Sequence, residues 1–246
     1  MNYPELQTQG HGFRVAFKAI QPDVANPELE LFGGAAITRE AGQAWAEPGV
    51  AAHDARDGNL TANVTVTGTV DVNSTGTYVL TYSVADAAGN TDSKTRTVTV
   101  TGARSVDLNA TVAMDMLWVP AGTFTMGSPT SEAGRSTNEA EHNVTLTKGF
   151  YLGQYEVTQT QWEKVMGDNP SHFKGANRPV EKVSWTEVTS FCEKLTEMES
   201  EAGRLPAGMA YQLPTEAQWE YACRAGTKTA FSFGNSLTSR QANIRG

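Results

Sequence analysis

The stretch that decides the fold is Asn177–Gly226, which reads NRPVEKVSWTEVTSFCEKL at its start and YQLPTEAQWEYACRAG at its end. Ser184 and Thr215 are each followed three residues later by Glu or Gln, and this spacing is typical of the capping box that begins a helix. A further such pattern begins at Thr158. The sequence therefore predicts three helices in this half of the chain.

Short apolar runs precede the helices and predict strands. The run Met116–Met126 predicts a pair of strands joined by a turn at Pro120–Gly122, because Pro and Gly are typical turn residues. Further strands are expected at Val144–Leu146 and Phe150–Tyr155. Strands followed by helices predict an α+β unit.

Four segments of this half follow one another in the order and spacing of a known family: MLWVPAGTFTMGS, YLGQYEVTQTQWEKVMGDNPSHF and the two segments quoted above. Over residues 116–246 the chain resembles the formylglycine-generating, or sulfatase-modifying factor, family. The resemblance implies that residues 114–246 adopt an irregular C-type-lectin-like fold, of which this chain holds the N-terminal part.

The resemblance also implies an activity for the whole protein. Formylglycine-generating enzymes convert the cysteine of a sulfatase-type Cys-X-Pro-X-Arg motif to formylglycine with oxygen and copper(I), and a cysteine pair near the C-terminus binds the copper. We expect this chain to end before that pair, so no catalytic residue is predicted in it and the chain alone is expected to be inactive. Whether the parent is an enzyme stays open. The alternative is a non-catalytic lectin-like module that binds or adheres to a surface ligand, with the preceding domain as its spacer.

Both cysteines of the chain lie in the helical stretch. Cys192 and Cys223 fall on apolar helix faces and match no zinc-binding spacing, so we expect buried structural thiols. The tryptophans of the same helices, Trp162, Trp185 and Trp219, are expected in the core.

A calcium site is implied by the resemblance near the C-terminal end of the chain. Asn243 would contribute its side-chain oxygen and Ile244 its backbone carbonyl, and oxygen atoms are the ligands that calcium prefers. The other ligands are expected downstream. No cofactor is therefore predicted for this chain by itself, while calcium and copper are expected in the full-length parent.

The segment 27–101 is rich in Thr, Val and Gly and has almost no helix signal. Tyr78, Leu80, Tyr82 and Val84 alternate along one run, which predicts a half-buried strand. Several such runs separated by turn residues predict an all-β immunoglobulin-like sandwich. Two segments of this part resemble the immunoglobulin-like repeats of bacterial surface proteins: EPGVAAHDARDGNLTANVTVTG and STGTYVLTYSVADAAGNTDSKTRTVTV.

Asp54, Asp57 and Asp86 are candidates for a calcium site at one end of this sandwich, because carboxylates are calcium ligands. The competing interpretation is that the Asp-Gly and Gly-Asn pairs beside them simply make turns. The turn interpretation is the favoured one.

The N-terminal segment, residues 1–20, contains HGFRVAFKA, which resembles the closing strand of a sulfatase-modifying factor domain. We therefore expect a multidomain protein in which a preceding domain of that family is joined to the second through the sandwich. The segment Gly102–Ala113 is expected to be a polar linker.

Charge and hydropathy exclude several classes of function. The chain has 19 basic and 27 acidic residues, so no nucleic-acid partner is predicted. It contains no run of 18 apolar residues, so no membrane span is predicted, and its N-terminus does not have the pattern of a signal peptide. The resemblance to surface proteins nevertheless implies an extracytoplasmic location in a bacterium, with a protein substrate or a surface ligand as the partner.

Overall fold

The structure is a computed structural model, and it describes residues 21–241 of the chain. In this part the chain is rich in β-strands. The strands are β1 (Glu28–Leu31), β2 (Ala36–Glu40), β3 (Val50–Asp54), β4 (Gly58–Asn59), β5 (Thr65–Thr67), β6 (Gly76–Ala85), β7 (Thr91–Thr101), β8 (Ala103–Asp107), β9 (Ala113–Val119), β10 (Gly122–Met126), β11 (His142–Leu146) and β12 (Phe150–Gly153). The helices are α1 (Gln159–Met166), α2 (Trp185–Glu201) and α3 (Glu216–Arg224). None of these described helices combines the length and the apolar character that a membrane span requires.

Strands β1 to β7 form the two sheets of a sandwich. One sheet has the order β1-β3-β4 and the other the order β2-β7-β6-β5. Strands β6 and β7 make a long antiparallel hairpin, and β2 joins the other edge of β7 in parallel. The sheets bury one set of side chains between them: Leu29, Ala52, Leu60, Leu80, Tyr82, Val84 and Val98. The alternation predicted along β6 is confirmed, whereas β3 is a strand that the sequence patterns did not indicate.

The sandwich also buries one charge. Arg96 on β7 has no exposed surface (0%), and its guanidinium pairs with Glu47. It also donates to the carbonyl oxygens of Phe32 and Gly49. Burial, followed by the nearby Glu47, raises the pKa of the neighbouring Tyr82 to about 12. A buried cation is tolerated only when it is paired and hydrogen-bonded. The ion pair with Arg96 therefore holds the loop between β2 and β3, which carries Glu47, against β7.

Strands β8 to β12 and the helices form the second part. Both strands of the predicted pair within Met116–Met126 exist, but they do not pair with each other. Strand β9 is the centre of a sheet with the order β12-β9-β8, and β10 pairs with β11. The prediction of a hairpin is therefore wrong. A turn signal marks where a strand ends, but contacts distant in sequence choose its partner.

The segment Gly102–Ala113, predicted as a linker, contains a strand of the second part. Strand β8 pairs with β9 along its whole length, and Val106 in its centre is 1% exposed. Its other side chains are mostly polar, which explains the wrong prediction. Only Gly102 separates β7 of the sandwich from β8, so the second part begins near residue 103 rather than 114.

The three predicted helix starts are confirmed. Thr158, Ser184 and Thr215 each accept a hydrogen bond from the amide three residues on, and the Gln or Glu at that position bonds back to the cap amide. The rings of Trp162 on α1 and Phe191 on α2 stack with their centres 5.3 Å apart. They belong to the core of the second part, whose buried members are Val106, Leu108, Met114, Trp162, Val165, Phe191 and Leu195.

Candidate functional site

A cleft of about 380 Å³ lies where the sandwich meets the second part. The sandwich contributes Glu40 and Ala41 at the end of β2. The second part contributes Arg104 from β8, Tyr151 from β12 and Tyr211 from the loop after α2. Chain regions far apart in sequence converge here, so no sequence pattern could have indicated this cleft.

A row of charged groups crosses the cleft. Arg104 pairs with Glu40 of the sandwich and also donates to the carbonyl oxygen of Arg204 at 2.7 Å. Arg204 pairs in turn with Glu199 of α2, which is 1% exposed. Each of these charges already has a partner, as burial demands. The row therefore holds the two parts together instead of offering a free charge to a ligand.

Two phenols line the cleft beside this row. Burial raises the pKa of Tyr151 and the pKa of Tyr211 above the ordinary tyrosine value. The hydroxyl of Tyr151 donates to the carbonyl oxygen of Ala41 at 3.1 Å. Both side chains are protonated at neutral pH, but the Tyr211 hydroxyl oxygen is buried, so the two phenols line the cleft as neutral groups rather than as free donors.

A groove along α2 contains Cys192. Trp185 and Glu193 line it from the helix, and Leu213 lines it from the following loop. The thiol is half-buried, and burial, followed by the charge of Glu193, raises the pKa of Cys192. The prediction of a buried thiol is met only in part at this position.

Cys223 on α3 is exposed, so the prediction of burial is wrong there. Helix α3 has no fully buried residue and contacts β10 on one side. The spacing of apolar residues along α3 correctly predicts that they share one face of the helix. Among the residues that the structure describes, none covers that face enough to bury it.

The two cysteines are both free and lie on separate helices. Copper(I) takes soft thiolate ligands; Cys192 is half-buried on α2, whereas Cys223 is exposed on α3. In residues 21–241, the one group of three or more potential metal ligands that lie close together contains neither cysteine. No copper chemistry is therefore assigned to these residues.

The tryptophans of the helices divide between core and surface. Trp162 is 3% exposed and lies in the core as predicted, but Trp185 is 73% and Trp219 58% exposed. Trp185 is the first residue of α2, and it lies outside the buried stripe formed by Phe191 and Leu195. The large apolar side chains exposed in the second part are Leu117, Tyr155, Phe173, Trp185, Met209, Leu213, Trp219, Phe231 and Phe233.

The acidic residues of the sandwich are only partly grouped as predicted. Asp54 and Asp57 lie beside Asp23, and one carboxylate oxygen of each is within 4.8 Å of the other two. Asp86 instead accepts hydrogen bonds from the amide and the side chain of Asn90. Asp23 precedes the sandwich in the chain, and its proximity could not be read from the sequence.

Two predictions fall outside the described residues. Asn243 and Ile244, the partial calcium site, lie beyond residue 241, and the closing strand predicted within residues 1–20 lies before residue 21. Both stay predictions.

Comparison with known proteins decides the family. A profile described as "Sulfatase-modifying factor enzyme 1-like domain" matches residues 103–246, more than half of the chain. The chain belongs to this family. A profile described as "Bacterial surface protein, Ig-like domain" matches residues 29–100. An immunoglobulin-like domain therefore precedes the sulfatase-modifying factor domain, and the latter match begins at the first residue of β8.

The curated relatives of this sulfatase-modifying factor chain include a protein named a chaperone and a protein named a formylglycine-generating enzyme. The chaperone protein LppX of Paenibacillus barcinonensis is 36% identical over 154 residues, which are 52% of this chain and 52% of that protein. The formylglycine-generating enzyme of Mus musculus is 27% identical over 175 residues, which cover 50% of this chain and 43% of that protein. The chain spans about half the length of the curated relatives it matches.

Among solved structures, the chain is similar to Treponema denticola variable protein 1, with 27% identity and a TM-score of 0.46 over 56% of this chain and 62% of that one. It is also similar to PvdO from Pseudomonas aeruginosa, with 26% identity and a TM-score of 0.41 over 51% of this chain and 52% of that one.

Proposed function

We propose that the whole protein acts outside the cytoplasm of a bacterium on a partner polypeptide, and that its reaction is the oxidation of a cysteine to formylglycine. The observation that carries this proposal is the family match over residues 103–246. A relative 27% identical to the chain is named a formylglycine-generating enzyme. The bacterial surface Ig-like domain at residues 29–100 supports the extracytoplasmic location.

In this reaction the Cβ–S bond of the substrate cysteine breaks and a C=O bond forms. Oxygen is the oxidant and an external thiol supplies two further electrons, so sulfur leaves as hydrogen sulfide and the second oxygen atom leaves as water. Since the copper-binding cysteine pair of the family is expected downstream of Cys192 and Cys223, we assign a scaffold role to the described residues. Copper binding, and calcium binding at Asn243 and Ile244, are proposed for residues outside 21–241.

We also infer that residues 103–246 form the N-terminal part of a C-type-lectin-like domain. Two small separate sheets, β12-β9-β8 and β10-β11, support this inference, because that fold is poor in regular structure. A crystal structure of the whole protein tests it. A second part that closes into a β-barrel or a helical bundle would contradict it.

The activity is tested with the whole protein, copper(I), oxygen, a thiol reductant and a peptide that contains Cys-X-Pro-X-Arg. We expect a loss of sulfur and the appearance of an aldehyde by mass spectrometry, and no product from the Ser-X-Pro-X-Arg peptide. No aldehyde with copper demonstrably bound would overturn the proposal. For the chain of residues 1–246 alone, we expect no turnover.

A second candidate is a non-catalytic binding module carried on the sandwich as a spacer. Two observations favour it: exposed Trp185 and Leu213 line the α2 groove, and the relative that is 36% identical is named a chaperone. Equal binding of the Cys and Ser peptides without aldehyde formation would support this candidate. In that case Trp185→Ala should weaken peptide binding about tenfold. Phe32→Ala, which removes an exposed aromatic of the sandwich, should leave binding unchanged.

A further inference from the structure

We propose that Asp23, Asp54 and Asp57 form a calcium site at one end of the sandwich. One carboxylate oxygen of each lies within 4.8 Å of the other two. Two oxygens that bind the same calcium ion at about 2.3–2.6 Å cannot be more than about 5 Å apart. The three carboxylates therefore meet the distance limit for ligands of one ion.

Asp54 supplies the independent observation that points to a ligand. Its side chain is 2% exposed, and Oδ1 accepts from the amides of Arg56 at 2.7 Å and Asp57 at 2.9 Å. The other oxygen, Oδ2, is buried and accepts no hydrogen bond from any group in residues 21–241. A turn uses only Oδ1, and a buried carboxylate oxygen without a partner is unfavourable. A cation bound to Oδ2 resolves that conflict.

The amide groups also keep Asp54 charged. The amides of Arg56 and Asp57 donate to Oδ1 and so stabilise the charged form of the carboxylate. An ionised, buried oxygen is the kind of ligand that a hard divalent cation binds.

The other two carboxylates are held in place from different parts of the chain. Oδ2 of Asp57 accepts from the amide of Ala87 at 2.8 Å. Asp23 is fixed through its carbonyl oxygen, to which Asn90 donates at 3.3 Å, and its Oδ2 is likewise buried without a hydrogen bond among the described groups. Because Asp86 holds the same Asn90 side chain at 2.7 Å, Asp86 is a positioning residue rather than a ligand.

The local charge matches a divalent ion. Among the described residues, Arg56 pairs with this cluster: its Nε lies 3.7 Å from Oδ2 of Asp23. The Arg56 side chain is 49% exposed, and its Nη2 donates to the carbonyl oxygen of Gln21 at 3.0 Å. The positive charge of Arg56 offsets one of the three carboxylate charges. The remaining two negative charges match the charge of a divalent ion. Magnesium demands a stricter octahedral geometry, so we expect it to bind more weakly than calcium.

The site connects the segment that enters the sandwich to the sandwich itself. Asp23 lies before β1, whereas Asp54 ends β3 and Asp57 follows it. Without the ion the three carboxylates repel one another. Calcium is therefore expected to hold residues 21–27 against the sandwich.

The test is a calorimetric titration of the chain with CaCl₂ in chelator-treated buffer, repeated with MgCl₂. We expect calcium to bind with a Kd of about 10⁻⁴–10⁻³ M, the range of extracellular calcium modules. Calcium at about ten times that Kd should raise the Tm of the sandwich by roughly 5 °C. Hydrogen exchange at residues 21–27 should slow at the same calcium concentrations.

Two variants and one control separate this site from others. Asp23→Asn and Asp54→Asn should each abolish the Tm rise and the slowed exchange, while Asp54→Asn keeps the Oδ1 turn. Asp71→Asn, at an exposed turn where Asp71 accepts from the amide of Asn73 at 2.9 Å, should respond like the wild type. Calcium binding at Asn243 would persist in both variants and would not slow exchange at residues 21–27. A wild-type chain without a calcium response, or undiminished responses in both Asp23→Asn and Asp54→Asn, would overturn the proposal.

Discussion

Gln159 bonds through both polar atoms of its side chain although it is only 1% exposed. Its Nε2 donates to the carbonyl oxygens of Phe173 at 2.9 Å and Pro179 at 3.3 Å. Its Oε1 accepts from the amide of Gly175 at 3.0 Å and from Nδ2 of Asn169 at 3.1 Å. The loop between α1 and α2 is therefore folded around one side chain.

Replacing this side chain by an apolar one should be strongly destabilising. Gln159→Leu leaves two donors and two acceptors of the loop without their partner. We expect the free energy of unfolding to fall by about 3 kcal/mol, as measured by urea denaturation. Gln154→Leu, at an exposed position, is the control and should change stability little. Equal losses in the two variants would contradict the role assigned to Gln159.

Cys192 should react slowly with thiol reagents. Its pKa is raised mainly by burial, and only the thiolate is nucleophilic, so the reactive fraction near neutral pH is small. At pH 7.5 we expect iodoacetamide to modify exposed Cys223 about tenfold faster than Cys192, as measured by peptide mass spectrometry. The Cys192 rate should rise steeply as pH increases. Faster modification of Cys192 than of Cys223 would refute this prediction.

Residues of this kind are hard to recognise in a sequence. Gln159 follows the N-cap of α1 and looks like an ordinary helix residue, because its burial depends on a loop that closes over it later in the chain. Asp23 is hard to recognise for the same reason, since its neighbours Asp54 and Asp57 are more than thirty positions away. A hydrophobic pattern reports the burial of apolar faces and carries no signal for a buried polar group.

At the scale of elements, local chemistry was predictable and pairing was not. The three capping boxes indicated the starts of α1, α2 and α3, because each box lies within four consecutive residues. The partners of β9 and β10 depend on contacts with β8, β12 and β11, which no turn signal specifies. The same limit explains why β8 was taken for a linker.

The capping box of α2 should make stability depend on acidity. Hydrogen bonds from Ser184 lower the pKa of Glu187 below its ordinary value of 4.5. Because the folded pKa lies below the unfolded one, the contribution is present above pH 4.5 and is lost as pH falls through the folded pKa. We expect the Tm of the chain to decrease with acidification in this window, as followed by circular dichroism.

The control for this prediction exists in the chain itself, because α1 and α3 use Gln at the corresponding position. Glu187→Gln keeps the hydrogen-bond acceptor and removes the titrating group. The variant should show a smaller loss of Tm below pH 4.5 than the wild type. Identical pH profiles for the two proteins would rule out a contribution from Glu187.

At the scale of the whole molecule, Trp118 of β9 is one of the residues that join the two parts. Its Nε1 donates to the carbonyl oxygen of Asn73 in the sandwich at 2.9 Å. A Cβ placed on Gly42 would lie 2.8 Å from the Trp118 ring, and one placed on Gly149 would lie 2.3 Å from it. Two glycines thus make room for the indole, one from each part of the molecule.

Removing this indole should uncouple the two parts. Trp118→Ala removes a hydrogen bond and a half-buried ring, and we expect the interface to lose about 2 kcal/mol. In differential scanning calorimetry the wild type should unfold in one transition and the variant in two. Trp185→Ala makes the same chemical change at a residue 73% exposed and should keep a single transition. Two transitions already present in the wild type would contradict this coupling.

The order of the two domains and the starts of the three helices could be predicted from the sequence. Each of these features depends on residues that are contiguous in the chain. The cleft, the charge row from Glu40 to Glu199 and the Asp23–Asp54–Asp57 cluster could not, because each joins residues from separate elements. Sequence motifs therefore indicated the family, while the residues that hold the parts together became visible only in three dimensions.

The single residue between β7 and β8 has a mechanical consequence. Gly102 is packed so tightly that a Cβ there would lie 2.9 Å from Thr75 and 3.5 Å from Trp118, so the connection has no slack. A force applied to the sandwich is therefore expected to pass along β7 into the paired strands β8 and β9. Because one tightly packed residue joins the two domains, we expect the immunoglobulin-like domain to hold its neighbour in a fixed orientation.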